Sequence, residues 1–230
     1  MRCRVALRII EYTATFDKPI FALAQRQTDV LEACFRKTEQ SFPLELGDLR
    51  APGGETYADL VVAVRYPRLR GGVEVRVSRL AGRFEGLVSE EEADQAMLFG
   101  TQCEQAVMDV FPDLLVASTS MNVMFWLTCD GDRQAVEELL AARQQVKFDA
   151  AAVGAEQARF FVRGQLINEA EAWSLGFGLE PSVLPEYGLY LICQGNYRAT
   201  SRYGELSDQN VHLSTIVEGI LGQFGFEVTS

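Results

Sequence analysis

A strand–Asp–helix plan occurs twice in the chain and limits its fold more than any other feature. Residues 118–129 form an apolar strand pattern that ends before an Asp and is followed by an amphipathic helix pattern. Residues 4–16 have the same plan. When the second stretch is shifted by 113 positions onto the first, Thr128 falls on Thr15. We interpret this repeated pattern as a diverged internal duplication.

Hydrophobic periodicity and turn residues divide each half into the order β-α-β-β-β-α. The strands predicted in the first half are 4–16, 60–66, 73–80 and 82–88, and the helices are 18–38 and 89–111. In the second half the strands are 118–129, 158–167, 171–180 and 187–197, and the helices are 133–145 and 208–224. The predicted fold class is therefore α+β: two tandem halves, 1–114 and 115–230, with a mainly antiparallel sheet and helices packed on one face.

Local residue chemistry predicts several ends and turns within these elements. Asp17 and Asp132 are suited to capping the helices that follow them. Gly71 and Gly72 are suited to a two-residue hairpin turn, because glycine accepts positive φ at both positions.

The helix that ends each half is expected to contribute to the core. The 113-residue shift aligns Phe111 with Phe224. Both helices are rich in apolar residues, so we predict that both phenylalanines are buried.

Composition narrows the classes of partner. The formal net charge is −11 and the pI is about 4.7, which argues against broad binding to nucleic acid or to anionic membranes. No apolar run approaches the roughly 18 residues needed to span a bilayer. The five cysteines include no CxxC pair, which is typical of free thiols in a reducing cytoplasm.

The sequence contains no common catalytic motif. His212 is the only histidine, and it lies in the final helix pattern between Val211 and Leu213, which favours a structural role. No serine lies in a GxSxG elbow, and no glycine precedes a Lys-Ser or Lys-Thr pair. We therefore expect a protein without catalytic residues, without a cofactor and without a metal site.

Arginines are concentrated in one segment of this acidic chain. Between residues 65 and 83 there are six arginines and a single acidic residue, Glu74. A second cluster follows the last predicted strand and contains tyrosine as well as arginine, residue types enriched in recognition surfaces. The candidate partner-binding residues are Arg65, Arg68, Arg70, Arg76, Arg79, Tyr197, Arg198, Arg202 and Tyr203. The first interpretation of the arginine-rich segment is a solvated hairpin whose arginines pair with nearby acidic helices; the alternative is a docking surface for an acidic partner or for phosphate groups.

Two functions are compatible with these features. The first is a non-catalytic adaptor, assembly factor or complex subunit that binds another protein of acidic character; self-association is also open. The second is a small-ligand-binding protein or hydrolase with an apolar cavity between sheet and helices. The candidate cavity residues are Trp173, Phe177, Tyr190 and His212. One strand face there carries only small residues, among them Gly176 and Gly178, which permits close packing or leaves room for a ligand.

Overall fold

Two long antiparallel strands form the centre of a single sheet. They are β1 (Arg2–Phe16) and β6 (Val116–Cys129), which pair over almost their whole length. This computed structural model describes residues 1–52, 56–144, 161–184 and 186–229. The first residues of the predicted strand 158–167 therefore lie outside the described residues. The last residue of the predicted helix 133–145 also lies outside them.

The remaining elements extend the sheet on both sides of this central pair. Between β1 and β6 the chain forms α1 (Leu23–Thr38), β2 (Leu49–Arg50), β3 (Val62–Tyr66), β4 (Gly71–Arg76), β5 (Arg79–Leu87) and α2 (Glu90–Val110). After β6 come α3 (Arg133–Gln144), β7 (Val162–Asn168), β8 (Trp173–Pro181), β9 (Leu189–Arg198), α4 (Leu206–Gln223) and β10 (Glu227–Val228). The strand order is β2-β3-β4-β5-β1-β6-β9-β8-β7, antiparallel throughout, and β10 pairs in parallel with the start of β1. The prediction of an α+β fold with a large antiparallel sheet is confirmed.

The sheet buries one face beneath the helices. In β1 the side chains of Ile10, Tyr12 and Ala14 are buried, whereas the alternating residues Ile9 and Glu11 are only half-buried. The helices pack on the buried side, where α2 contacts both α1 and α4 as well as β5. An aromatic cluster of Phe42, Tyr66, Phe84 and Phe99 fills the space between α2 and strands β3 to β5.

The hairpin turn between β3 and β4 is not at the predicted glycines. The chain turns over Pro67–Leu69, and Arg70 completes the turn in the left-handed region, with φ of 49°. Gly71 and Gly72 lie inside β4, opposite Tyr66 and Arg65. A Cβ at Gly71 would lie 2.1 Å from the carbonyl oxygen of Arg83, so this glycine is required for close strand approach.

The capping predictions have different outcomes. Asp132 caps α3, since its Oδ1 accepts a hydrogen bond of 2.8 Å from the backbone N–H of Ala135. Asp17 does not cap α1, because that helix begins at Leu23. Its Oδ1 instead accepts a hydrogen bond of 3.0 Å from the backbone N–H of Leu115, which ties the end of β1 to the start of β6.

The prediction that Phe111 and Phe224 are buried is wrong, because both are half-buried. Helix α4 ends in a Schellman motif: Phe226 N–H donates to the Leu221 carbonyl at 2.9 Å, and Gly225 N–H donates to the Gly222 carbonyl at 3.0 Å. Gly225 has φ of 84°, which reverses the chain and turns Phe226 into the core.

Helix α2 likewise ends one residue before Phe111. The Phe111 ring contacts the guanidinium of Arg26, with 5.3 Å between the guanidinium carbon and the ring centroid. Leu114, three residues further along, is buried in its place.

We therefore predict that Phe226→Ala lowers the free energy of unfolding by about 3–5 kcal/mol, because it opens a cavity in the core. Phe224→Ala, on the same turn, should cost less than about 2 kcal/mol because its ring is already half in water. Urea denaturation of both variants measures the difference. Equal losses would contradict the position of Phe226 in the core.

A buried arginine joins the central strand to the start of α2. The side chain of Arg8 is only 3% exposed, and its two terminal nitrogens form a bidentate pair with the carboxylate of Glu90. Its guanidinium carbon also lies 5.0 Å from the centroid of the Phe125 ring. Because the cation has left water, it depends on this carboxylate for charge compensation.

Glu90→Ala should therefore destabilise the protein by about 1–3 kcal/mol, since it leaves the buried cation without its acceptor. Glu91→Ala is the matched control: it removes a neighbouring carboxylate from the same helix turn and leaves Arg8 paired. Chemical denaturation of the two variants is the measurement. If they lose the same stability, the cause is the helix dipole and not the Arg8–Glu90 pair.

Candidate functional site

The candidate site is the face of the sheet that points away from the helices, here called the open face. It is built by the alternate residues of each strand, such as Thr13 in β1, which pairs with Ala81 in β5 and with Ser120 in β6. Within the described residues no helix packs over this face, and its central side chains are half-buried.

Arginines dominate the open face of strands β2 to β5. Pairing register and burial pattern place Arg50, Arg65, Arg76, Arg79 and Arg83 there, against two glutamates, Glu74 and Glu85. The local charge is therefore positive in a chain of net charge −11. The sequence-predicted residues Arg65, Arg76 and Arg79 lie on this face together.

Some of these arginines are already paired. Arg76 forms an ion pair of 2.9 Å with Glu74, and Arg83 pairs with both Glu85 and Glu11. Asn122 of β6 donates to the same Glu11 carboxylate at 3.2 Å, so a polar chain crosses the centre of the sheet. Exposed pairs of this kind contribute little to stability.

Arg50, Arg65 and Arg79 form no ion pair with any described residue, and all three are exposed. A depression of about 710 Å³ lies beside Arg65, and Arg83, Glu74 and Glu11 are among its other lining residues. The depression is open to solvent and floored by the small side chains of Ala63 and Ala81. It can hold an extended segment with a carboxylate that meets the guanidinium group of Arg65.

The open face of the second half is polar at one end. The row that contains Thr13 and Ser120 continues through Asn196 and Ser174 to Ile167 at the sheet edge. A depression of about 730 Å³ lies along this row, with Arg198 at its rim. The small residues Gly176 and Gly178 face the same side, and a Cβ at Gly176 would meet nothing within 4 Å.

The other end of this half is apolar. Trp126 and Tyr190 are directly paired across β6 and β9, with ring centroids 5.0 Å apart. Met124 and Ile192 form the next pair on the same face. The open face therefore offers arginines, hydroxyl and amide groups, and an aromatic corner as three adjacent regions.

A second group of candidate residues lies on the helix side, where an aromatic cluster surrounds His212. The imidazole stacks on Tyr203 with centroids 3.8 Å apart and an angle of 15° between planes. Trp173 meets the imidazole edge-on at 4.8 Å, and the Tyr197 hydroxyl lies 3.2 Å from Nδ1. Arg202 covers the outer face of Tyr203, with 4.8 Å between guanidinium carbon and ring centroid.

Burial determines the protonation of this cluster. Desolvation lowers the pKa of His212 below its ordinary value; the Glu171 carboxylate opposes this shift and the Arg202 cation adds to it. Desolvation also raises the pKa of the Tyr197 phenol. The imidazole is therefore neutral at pH 7, which suits its stacked position.

The lowered pKa gives a test of the stacking. Because His212 is the only histidine, its NMR titration is unambiguous, and we expect a midpoint below 6.5. Tyr203→Ala should expose the ring and move the midpoint toward 6.5, whereas Tyr203→Phe should retain the low value because the stacked ring remains. Folding stability should fall as pH drops through this range, since the unfolded state binds the proton more tightly. An unchanged midpoint in Tyr203→Ala would contradict burial by the Tyr203 ring.

The structure divides the candidate residues among several places. Arg68 and Arg70 lie at the β3–β4 turn, where Arg70 donates to the Gly86 carbonyl at 2.8 Å. The two halves of the second cluster separate: Arg198 lies on the open face, and Tyr197, Arg202 and Tyr203 lie in the aromatic cluster.

Of the cavity candidates, Trp173 and His212 are in contact, and Phe177 also lies on the helix side, where it packs against the core. Tyr190 lies on the opposite face of the sheet. Sequence reasoning missed Arg50 and the Glu11–Asn122 contact, although the alternation of β1 and β6 could have placed the last two on one face.

Comparisons with known proteins assign no family. No protein-family model matches the chain, and no curated protein matches it. Among solved structures, the TBP of Methanococcus jannaschii aligns over 96% of this chain and 99% of its own, with 11% identity and a TM-score of 0.30. None of the helices in the described ranges has the length and apolar character of a bilayer-spanning segment. The described residues also contain no group of three or more His, Cys, Asp or Glu side chains that could hold a metal ion.

Proposed function

We propose that this chain is a cytoplasmic, non-catalytic interaction protein whose open face binds an acidic segment of a partner protein. The observation that carries the proposal is a set of exposed arginines on the open face, Arg50, Arg65 and Arg79, that form no ion pair with any residue the structure describes. Guanidinium groups bind carboxylates through paired hydrogen bonds, and they are enriched in recognition surfaces.

The neighbouring regions of the open face support a protein partner. Hydroxyl and amide groups such as Ser120 and Asn196 can bond a peptide backbone, and the Trp126–Tyr190 corner can bury an apolar side chain. A polyanion recognised by charge alone would have no use for this corner.

The alternative, an apolar cavity between sheet and helices, has less support. Tyr190 lies on the other face of the sheet from Trp173 and Phe177, and His212 is already enclosed by Trp173, Tyr197 and Tyr203.

We also propose that the two halves, 1–114 and 115–230, arose by duplication. The register of β1 and β6 supports this idea. Ile10 pairs with Val123, which lies 113 positions later, so a twofold axis through this pair would exchange the two strands. The pair Ile9–Met124 would then map onto Glu11–Asn122, which is also present.

The interaction proposal predicts a selective effect of charge reversal. Arg65→Glu with Arg79→Glu should leave the melting temperature nearly unchanged, since neither side chain has an ion pair with a described residue to lose. Capture of the native partner should fall, and the fall should be largest at low salt, where screening is weakest. Thermal melting and partner capture at two ionic strengths, with the captured molecules identified by mass spectrometry, measure both effects.

Lys18→Glu with Arg143→Glu is the matched control, because it makes the same charge change at exposed sites away from the open face. The control should retain capture. Equal loss in both double variants would reduce the effect to net charge, and retention by both would exclude the open face. Recovery of nucleic acid in place of an acidic protein would also overturn the proposal.

A further inference from the structure

Two cysteines face each other at the end of the central strand pair. Cys3 of β1 is the direct antiparallel partner of Cys129 of β6. Both are free thiols, Cys3 is buried, and Cys129 is half-buried. Direct antiparallel partners have Cα atoms about 4.5–5.5 Å apart, within the range of about 4.4–6.8 Å that a disulfide requires.

The neighbouring backbone bonds determine the type of pair. The backbone N–H of Asp130 donates to the carbonyl of Arg2 at 3.0 Å, so Arg2 and Asp130 form the hydrogen-bonded pair. Because the two types alternate along an antiparallel ladder, Cys3 and Cys129 form a non-hydrogen-bonded pair. Side chains approach each other most closely at such positions.

We propose that Cys3 and Cys129 form a reversible disulfide when the folded protein meets a peroxide, so that this end of the β1–β6 pair is a redox modification site. The chemistry needs both sulfurs and one peroxide. The thiolate of one of the two cysteines attacks a peroxide oxygen, which breaks the O–O bond, forms a sulfenic acid and, with one proton, releases water. The thiol of the other cysteine then attacks this sulfur, forms the S–S bond and, with its own proton, releases the sulfenic hydroxyl as the second water. Two thiols are oxidised and one peroxide is reduced.

The surroundings favour oxidation of this pair. Cys129 is the more accessible sulfur, and it lies against Gly188, where even a Cβ would come within 3.0 Å of it. A hydrogen bond from Cys129 lowers the pKa of Cys3, and the N-terminal ammonium group acts in the same direction. The same hydrogen bond raises the pKa of Cys129, whose thiol is the donor, so the negative charge is favoured on Cys3.

A second thiol pair provides an internal comparison. Cys34 of α1 and Cys103 of α2 also contact each other, but both are fully buried. The hydrogen bond with Cys34, together with burial, raises the pKa of Cys103 far above its ordinary value. The two sulfurs are close to each other, but peroxide in the solvent cannot reach them, so this pair should remain reduced.

The experiment treats the reduced, full-length protein with hydrogen peroxide under native conditions. Peptide mapping should find one cross-link, Cys3–Cys129, and the free thiols counted after denaturation should fall from five to three, since a disulfide consumes two. Dithiothreitol should restore all five. Cys193→Ala should still lose two thiols, and Cys129→Ser should form no cross-link.

The same treatment of urea-unfolded protein distinguishes templating by the fold from random pairing. Unfolded chains should give mixed pairings, and only the native protein should give Cys3–Cys129 selectively. An unchanged thiol count in the native protein, or a native cross-link between other cysteines, would overturn the proposal.

Discussion

The pairing of β1 with β6 is the interaction on which the rest of the structure depends. It joins residues at least one hundred positions apart along two of the longest strands, and every other strand is reached through one of them. β5 covers the remaining edge of β1, and β9 covers the remaining edge of β6. Because such distant segments must meet before the sheet can form, we expect folding to be slow and to require both halves.

The sequence predicted the elements that depend on local pattern. Alternation identified the central strands, and Asp132 marked the start of α3 because a side-chain cap is a short-range signal. The pair Gly71–Gly72 is compatible with either a turn or a close approach of two strands. The position of Arg83 on the next strand decides between them, and it cannot be read from the sequence. Phe226 is buried because the chain reverses at Gly225. The predicted helix ran to residue 224, so the sequence analysis did not identify this reversal.

The candidate surface was predictable in composition but not in arrangement. The excess of arginine between residues 65 and 83 is visible in the sequence, and alternation could assign each residue to a face once the turn was known. The contact of Arg83 with Glu11, and of Glu11 with Asn122, required the register of three strands that are distant in the chain. Arg198 and Tyr203 are separated because β9 ends at Arg198. Arg198 therefore lies on the open face, whereas Tyr203 lies beside His212.

The positions of the nearby acidic residues also decide whether a positive surface can attract an anion on a chain of net charge −11. At physiological ionic strength the field of an exposed charge decays over about 8 Å, so acidic residues on the helix side contribute little at the open face. Glu74, Glu85 and Glu11 do lie within that range, and they neutralise Arg76 and Arg83. Arg65 and Arg79 lie on opposite sides of these ion pairs, and no described carboxylate pairs with either of them. An acidic segment docked as proposed would therefore meet two separate cations, an arrangement that selects for the spacing of its carboxylates as well as for their sign.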